Sequence, residues 1–230
     1  VTWAFPAKNG SENYIAVSKD NPTSGSDFLK VDMTPFYGTN MVSQISYGKG
    51  IWLATKSGGP LIYSTDGLEW KQHPTPPSNQ SLDRLRYWED KQIFVWDTAS
   101  GSSNFYSTDG MTWVAASGRT TSSDGLFFSK DYAFAGNSSS AVVQRSADGA
   151  TWSDIPLGFT GTGAGPAYGD GLLLFAGSGG SIYYSEDEGN TATSVSMTIE
   201  DGTIAQTFYG GGTFVRVRNN FAGRGVSHAT

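Results

Sequence analysis

YSTDGLEW, residues 63–70, decides how this sequence is read, because it returns. Residues 106–113 are YSTDGMTW, residues 145–152 are RSADGATW, and residues 184–191 are YSEDEGNT, a looser copy. A single catalytic site has no use for four copies of itself, whereas a stacked architecture does. The aspartates Asp66, Asp109, Asp148 and Asp187 follow one another at spacings of 43, 39 and 39 residues. A second signal precedes each copy: an aromatic residue, a Gly-rich or charged turn, then an apolar run. It reads YGKGIWLAT (47–55), YWEDKQIFVW (87–96), FSKDYAFAG (128–136), YGDGLLLFAG (168–177) and YGGGTFVRV (209–217), with a weaker version NGSENYIAV at 9–17.

These signals mark six units of about 40 residues, the length of a four-stranded propeller blade. Within a unit, a strand such as MVSQISY meets a GKG-type turn. IWLAT then follows as an inner strand apolar on both faces. LIYS enters an Asp-Gly turn and LEWKQ leaves it, and Asp-Gly is a strong signal for a type I′ hairpin. The expected fold is all-β, a single β-propeller over residues 1–230. Six four-stranded blades are expected, with five as the alternative. Their approximate bounds are 10–40, 41–80, 81–120, 121–160, 161–200, and 201–230 joined by 1–9. The chain ends VSHAT and begins VTW; laid head to tail over YSTDGLEW, Ser227 falls on Ser64 and Trp3 on Trp70. Pairing of N- and C-terminal strands is therefore expected to close the last blade, which suppresses open edges. The unit at 10–40 is the irregular one, holding Asp32 near the motif position without the Gly and Trp.

Composition agrees with many short strands joined by tight turns. The 230 residues include 30 Gly, 13% aromatic and only 16% charged residues, which excludes a coiled coil or a helical bundle. The net charge of −6 and the absence of a Lys/Arg cluster exclude a nucleic-acid footprint. No apolar run is long enough to span a membrane. Cysteine is absent, which excludes disulfides, thiol catalysis and Cys-based zinc sites.

The four copies resemble the Asp-box, or BNR repeat, of sialidase-like β-propellers, whose pattern is Ser/Thr-x-Asp-x-Gly-x-Thr-Trp. Ser185, Asp187, Gly189 and Thr191 match it at full spacing, with Ala192 in place of Trp. The other copies are one residue shorter: Ser64, Asp66, Gly67 and Trp70; Ser107, Asp109, Gly110 and Trp113; Ser146, Asp148, Gly149 and Trp152. This short YSxDGxxW form, with its upstream YGxGxW/F run, resembles propellers found in bacteriophage virion proteins and bacterial surface proteins. The residue chemistry gives the motif a structural role. Ser and Asp side chains bond to the turn's own backbone, Gly takes the left-handed position, and Trp packs inward.

A sialidase would bring an arginine triad, a Tyr–Glu pair, an acidic Asp and an Arg-Ile-Pro segment. This chain has no such segment, and its arginines sit beside turns or alternate along strands. Glu186 and Asp187 both belong to the fourth motif turn. His73 in KQHPTPPS and His228 in the closing turn read as solvated loop residues without metal-ligand spacing. No catalytic residue, metal or cofactor is expected. The 18–28 loop is polar and long, and mobility is expected there.

Departures from the repeat supply the ligand candidates. Ala16, Ala54, Ala135 and Ala176 share one inner-strand position; Trp96 and Arg216 replace Ala there. Arg216 and Arg218 share a strand face. Trp96 with these arginines forms a platform for a sugar or an acidic glycan, or else Trp96 fills a gap and Arg216 pairs with an acid such as Asp97. Trp88, in RLRYWEDKQ (84–92), is placed at a loop tip as an interface anchor or a partly packed turn residue. The expected function is a non-catalytic binding or structural module: a phage virion component (tail, receptor-binding or capsid-decorating) located on a virion or extracellular surface. Its partners would be other virion or surface proteins and a cell-surface glycan, without nucleic acid or membrane insertion. The alternatives are a bacterial surface lectin and, third, a divergent sialidase-like glycosidase.

Overall fold

The computed structural model describes residues 3–19, 21–56, 58–77, 82–98, 104–120, 125–136, 142–155, 164–176, 181–196, 203–219 and 226–229. They form two compact units, Val1–Ala99 with Ser103–Ala115, and Ser100–Ser102 with Ala116–Thr230. Both are built from antiparallel meanders.

The first unit holds three sheets. Strands β1 (Trp3–Asn9), β2 (Glu12–Ser18) and β3 (Leu29–Asp32) make the first; β4 (Gln44–Gly48), β5 (Ile51–Thr55), β6 (Ile62–Ser64) and β7 (Lys71–Gln72) make the second; β8 (Leu82–Trp88), β9 (Ile93–Thr98), β10 (Phe105–Ser107) and β11 (Val114–Ala115) make the third. The expectation that IWLAT is buried on both faces holds, since all five residues of β5 are buried. Alternation sends Trp52 and Ala54 into one core with Ile15, Val17, Val42 and Ile62. It sends Ile51 and Leu53 into another with Leu61, Leu85, Phe94 and Trp96. Each such buried side chain stabilises the fold by about 1.5–3 kcal/mol.

In the second unit, β12 (Gly125–Phe128), β13 (Ala133–Gly136), β14 (Val143–Ser146) and β15 (Ser153–Ile155) form one sheet. Strands β16 (Ala164–Gly169), β17 (Leu172–Ala176), β18 (Ser181–Ser185) and β19 (Thr193–Ser196) form the next, and β20 (Thr203–Gly210), β21 (Thr213–Asn219) and β22 (Val226–Ala229) the last. Phe134, Val143, Ile155, Leu173 and Phe175 make its core. Gln144 is fully buried and works as a hub. Its Nε2, with two hydrogens, lies within hydrogen-bonding distance of three acceptors, the Gly118 carbonyl, Thr120 Oγ1 and Asp154 Oδ1, and its Oε1 accepts from the Arg119 guanidinium at 2.7 Å.

One sequence expectation needs correction. Residues 3–9 do not complete the last sheet: β1 pairs with β2 from Trp3↔Ser18 to Asn9↔Glu12. Residues 3–9 therefore belong to the first sheet. The irregular first unit lacks the motif because α1 (Thr34–Tyr37) stands in its place. There Asp32 Oδ1 accepts the Thr34 N–H at 2.8 Å, and the Tyr37 hydroxyl reaches the Pro60 carbonyl at 2.8 Å. The 18–28 loop contains an organised turn: Asp27 Oδ2 accepts the Thr23 and Ser24 N–H groups at 2.7 and 2.8 Å.

The aromatic-then-Gly signal also has a packing cause. A Cβ added to Gly48 would fall inside the Tyr87 ring, and one on Gly169 inside the Tyr209 ring. In each case a tyrosine of one sheet lies flat on the glycine of the sheet before it.

Candidate functional site

The four Ser–Asp turns share one geometry. Ser64 Oγ donates to Asp66 Oδ1 at 3.0 Å and accepts the Gly67 N–H at 2.8 Å. Asp66 Oδ1 then accepts the Leu68 and Glu69 N–H groups at 2.8 and 2.9 Å. Ser107, Asp109 and Gly110 repeat these bonds, as do Ser146, Asp148 and Gly149. The fourth copy absorbs its extra residue: Glu188 takes a φ of 56°, Ser185 Oγ reaches the Gly189 N–H at 2.7 Å, and Asp187 Oδ1 reaches the Thr191 N–H at 2.8 Å.

These are not the type I′ turns that Asp-Gly suggested. Gly67, Gly110 and Gly149 have φ of 77°, 76° and 73°, but none of the preceding aspartates has positive φ. In the upstream hairpins, Lys49-Gly50, Asp170-Gly171 and Gly211-Gly212 have two positive φ values; among the four Ser–Asp turns only the longer fourth copy has such a pair, at Glu188-Gly189. The aspartate side chain, not the turn type, holds the Ser–Asp turns together.

The carboxylates are correspondingly acidic. The Glu69 and Leu68 N–H groups hold Asp66 below the usual carboxylate range. Partial burial pushes Asp109 up, but the Thr112 and Met111 N–H groups outweigh it and bring its pKa to about 2. Burial is likewise outweighed at Asp148 by the Thr151 and Ala150 N–H groups. The Thr191 N–H and hydroxyl hold Asp187 at about 2. Each is a fixed anion committed to backbone donors, which is the opposite of a proton-carrying acid.

The tryptophans of the first and third copies close their own turns. Trp70 Nε1 donates to the Gly67 carbonyl at 3.0 Å, and Trp152 Nε1 to the Gly149 carbonyl at 3.1 Å. In the second copy the Gly110 carbonyl meets His73 Nε2 instead, at 3.1 Å. Trp113 turns to Trp96, with ring centroids 5.4 Å apart, and neither indole N–H meets an acceptor among the described residues.

His73 is therefore not the solvated loop residue expected from KQHPTPPS; it is 2% exposed. Its Nδ1 accepts the Thr75 N–H at 3.2 Å, which places the ring proton on Nε2, facing Gly110. Burial pushes its pKa down. Arg145 plays a comparable part in the second unit, donating to the Glu188 carbonyl at 2.9 Å and to Asn190 Oδ1 at 2.8 Å. Sequence reasoning missed both, because each partner lies one repeat further along the chain.

The ligand candidates fare differently. Trp96 is fully buried, so it fills a gap and offers no platform. Trp88 is 1% exposed at the end of β8, so the loop-tip placement is corrected. Its charged neighbours Glu89 and Asp90 lie in the turn while the indole points inward. Arg216 and Arg218 lie in β21, with Arg216 paired to Thr207 and Ser227; their side chains lie outside the described residues. No cluster of three or more His, Asp or Glu side chains able to hold a metal ion occurs among the described residues.

A different site emerges on the first sheet. A groove of about 510 Å³ is lined by Glu12, Asn13, Tyr14, Lys30, Asp32 and Thr34, with Ser11 and Thr39 at its rim. Tyr14 and Asp32 are cross-strand partners. The Lys30 ammonium sits 4.7 Å from the Tyr14 ring centroid and 3.0 Å from Glu12 Oε2. Asn13 is buried; its Nδ2 donates to the Asn40 carbonyl at 2.5 Å, and its Oδ1 has no hydrogen-bond partner.

No protein-family model and no curated protein sequence matches the chain. Solved structures do. One titled "YCF48 bound to D1 peptide" superposes with a TM-score of 0.69 at 14% identity, over 91% of this chain and 70% of that one. The Niastella koreensis GH74 enzyme gives 0.58 at 16% identity, over 99% of this chain and 35% of that one. A nidogen/laminin complex gives 0.56 at 8%, covering 98% and 93%. The fold is that of a β-propeller. At these identities the likeness extends to fold alone, and propellers of this kind include an enzyme as well as non-enzymes.

Proposed function

We propose that this propeller is a non-catalytic binding and structural module of six blades, four of them carrying an Asp-box-type turn, serving as a phage virion component that meets a cell-surface glycan and neighbouring virion proteins. The observation that carries the non-catalytic reading is the state of the four motif aspartates. All are ionised and engaged by backbone N–H groups, so the repeat is spent on architecture. The resemblance of the YSxDGxxW form to virion propellers supports the virion setting. The glycan partner rests on a groove of about 510 Å³ that combines an aromatic ring with carboxylates, an ammonium and hydroxyls. No helix among the described residues is long and apolar enough to cross a membrane.

The test is a glycan array probed with the purified chain, followed by mass spectrometry of the recovered glycans. Retention with the glycans intact is expected. Cleaved products would overturn the non-catalytic reading, and no retention on any glycan would overturn the recognition half.

A further inference from the structure

The alternation of β2 and β3 gathers one chemical set onto one face of the first sheet. Glu12, Tyr14, Lys30 and Asp32 share that face. Tyr14 is half-buried, which fixes its ring, while Lys30 and Glu12 are 56% and 60% exposed and free to rearrange. An exposed pair of this kind contributes little to stability, so losing it to a ligand costs little. The groove's volume of about 510 Å³ lies within the range of small-ligand sites.

We propose that this groove is a carbohydrate subsite for a neutral hexopyranose, an inference that rests on the glycan-binding reading above. Glu12 and Asp32 accept from neighbouring sugar hydroxyls, and Lys30 and Thr34 donate to ring or hydroxyl oxygens. The Tyr14 ring carries the apolar C–H face of the sugar, as aromatic side chains do for apolar surfaces generally. The two carboxylates and one ammonium leave the groove with a net negative charge, which turns away acidic sugars. In the first sheet α1 stands in place of the motif turn and supplies Thr34 to the subsite.

The experiment is an amide-resolved NMR titration of the whole chain with cellobiose, lactose and 3′-sialyllactose at equal ionic strength. Shifts are expected at residues 11–14 and 30–34 with the neutral disaccharides, and weaker ones with the acidic trisaccharide. Tyr14→Ala should weaken binding about tenfold, the loss of one stacking contact. Tyr14→Phe keeps the ring and should stay within about threefold of wild type, which separates stacking from misfolding. Shifts that map elsewhere, or indifference to Tyr14→Ala, overturn the groove while the glycan reading stands. Silence here combined with an empty glycan array overturns both.

Discussion

His73 gives the sharpest test of how two neighbouring sheets are joined. His73→Ala removes the donor to the Gly110 carbonyl, the acceptor of the Thr75 N–H, and an edge contact with Tyr63 at 6.1 Å. Leaving a buried carbonyl without its donor costs about 1–3 kcal/mol, and the truncated ring adds about 1 kcal/mol of lost packing. The expected loss is about 2–4 kcal/mol, or about 4–16 °C in Tm for a chain of this size. His73→Gln keeps an N–H donor and should lose roughly half as much. The assay is urea unfolding followed by tryptophan fluorescence, run from pH 8 to pH 5. Because burial lowers the pKa of His73 in the folded chain, the unfolded chain binds more protons as pH falls below about 6.5, the ordinary histidine value. Stability from this residue is thus complete above that pH and is lost on acidification toward the folded value. The wild type should show this decline and His73→Gln should not; the difference between them isolates His73 from His228. A His73→Ala chain within about 0.5 kcal/mol of wild type, the usual range for surface substitutions, would refute the reasoning, as would identical pH profiles for wild type and His73→Gln.

Three further outcomes follow from the same geometry. Asp109→Ala strips the Met111 and Thr112 N–H groups of their acceptor and should cost about 1 kcal/mol after solvent screening, read as a lower urea midpoint. The motif aspartates are more acidic folded than unfolded, reaching about 2 at Asp109 and Asp187; their stabilisation is present above about pH 4 and lost as pH falls toward 2, so far-UV circular dichroism should show acid unfolding in that window, flattened when all four are Asn. Gly48→Ala drives a methyl into the Tyr87 ring and should cost about 1–3 kcal/mol; in the Tyr87→Ala background the added penalty should vanish, which a double-mutant cycle measures.

The repeat made the meanders, the doubly buried β5 and the structural role of Ser64, Asp66, Gly67 and their copies legible, because local residue chemistry sets all of these. Four features were not legible, each for a physical reason. Asp-Gly serves both a type I′ turn and a side-chain-braced turn, and only backbone angles separate Asp170-Gly171 from Asp66-Gly67. Trp88 sits among charged residues in sequence, but strand alternation, not composition, decides its direction. His73 has its partner Gly110 one repeat further along the chain, and Arg145 likewise has Glu188. The groove depends on register between β2 and β3, which places Tyr14 beside Asp32 across an intervening loop.

The tyrosines that lie on Gly48 and Gly169 carry a consequence for ancestry. At Gly48 and Gly169 one period of sequence offers a socket and the next period the knob that fills it. A duplicated period therefore arrives with both halves of its joint already matched to its neighbours, and no second mutation is needed to seat it. Copies can multiply before they diverge.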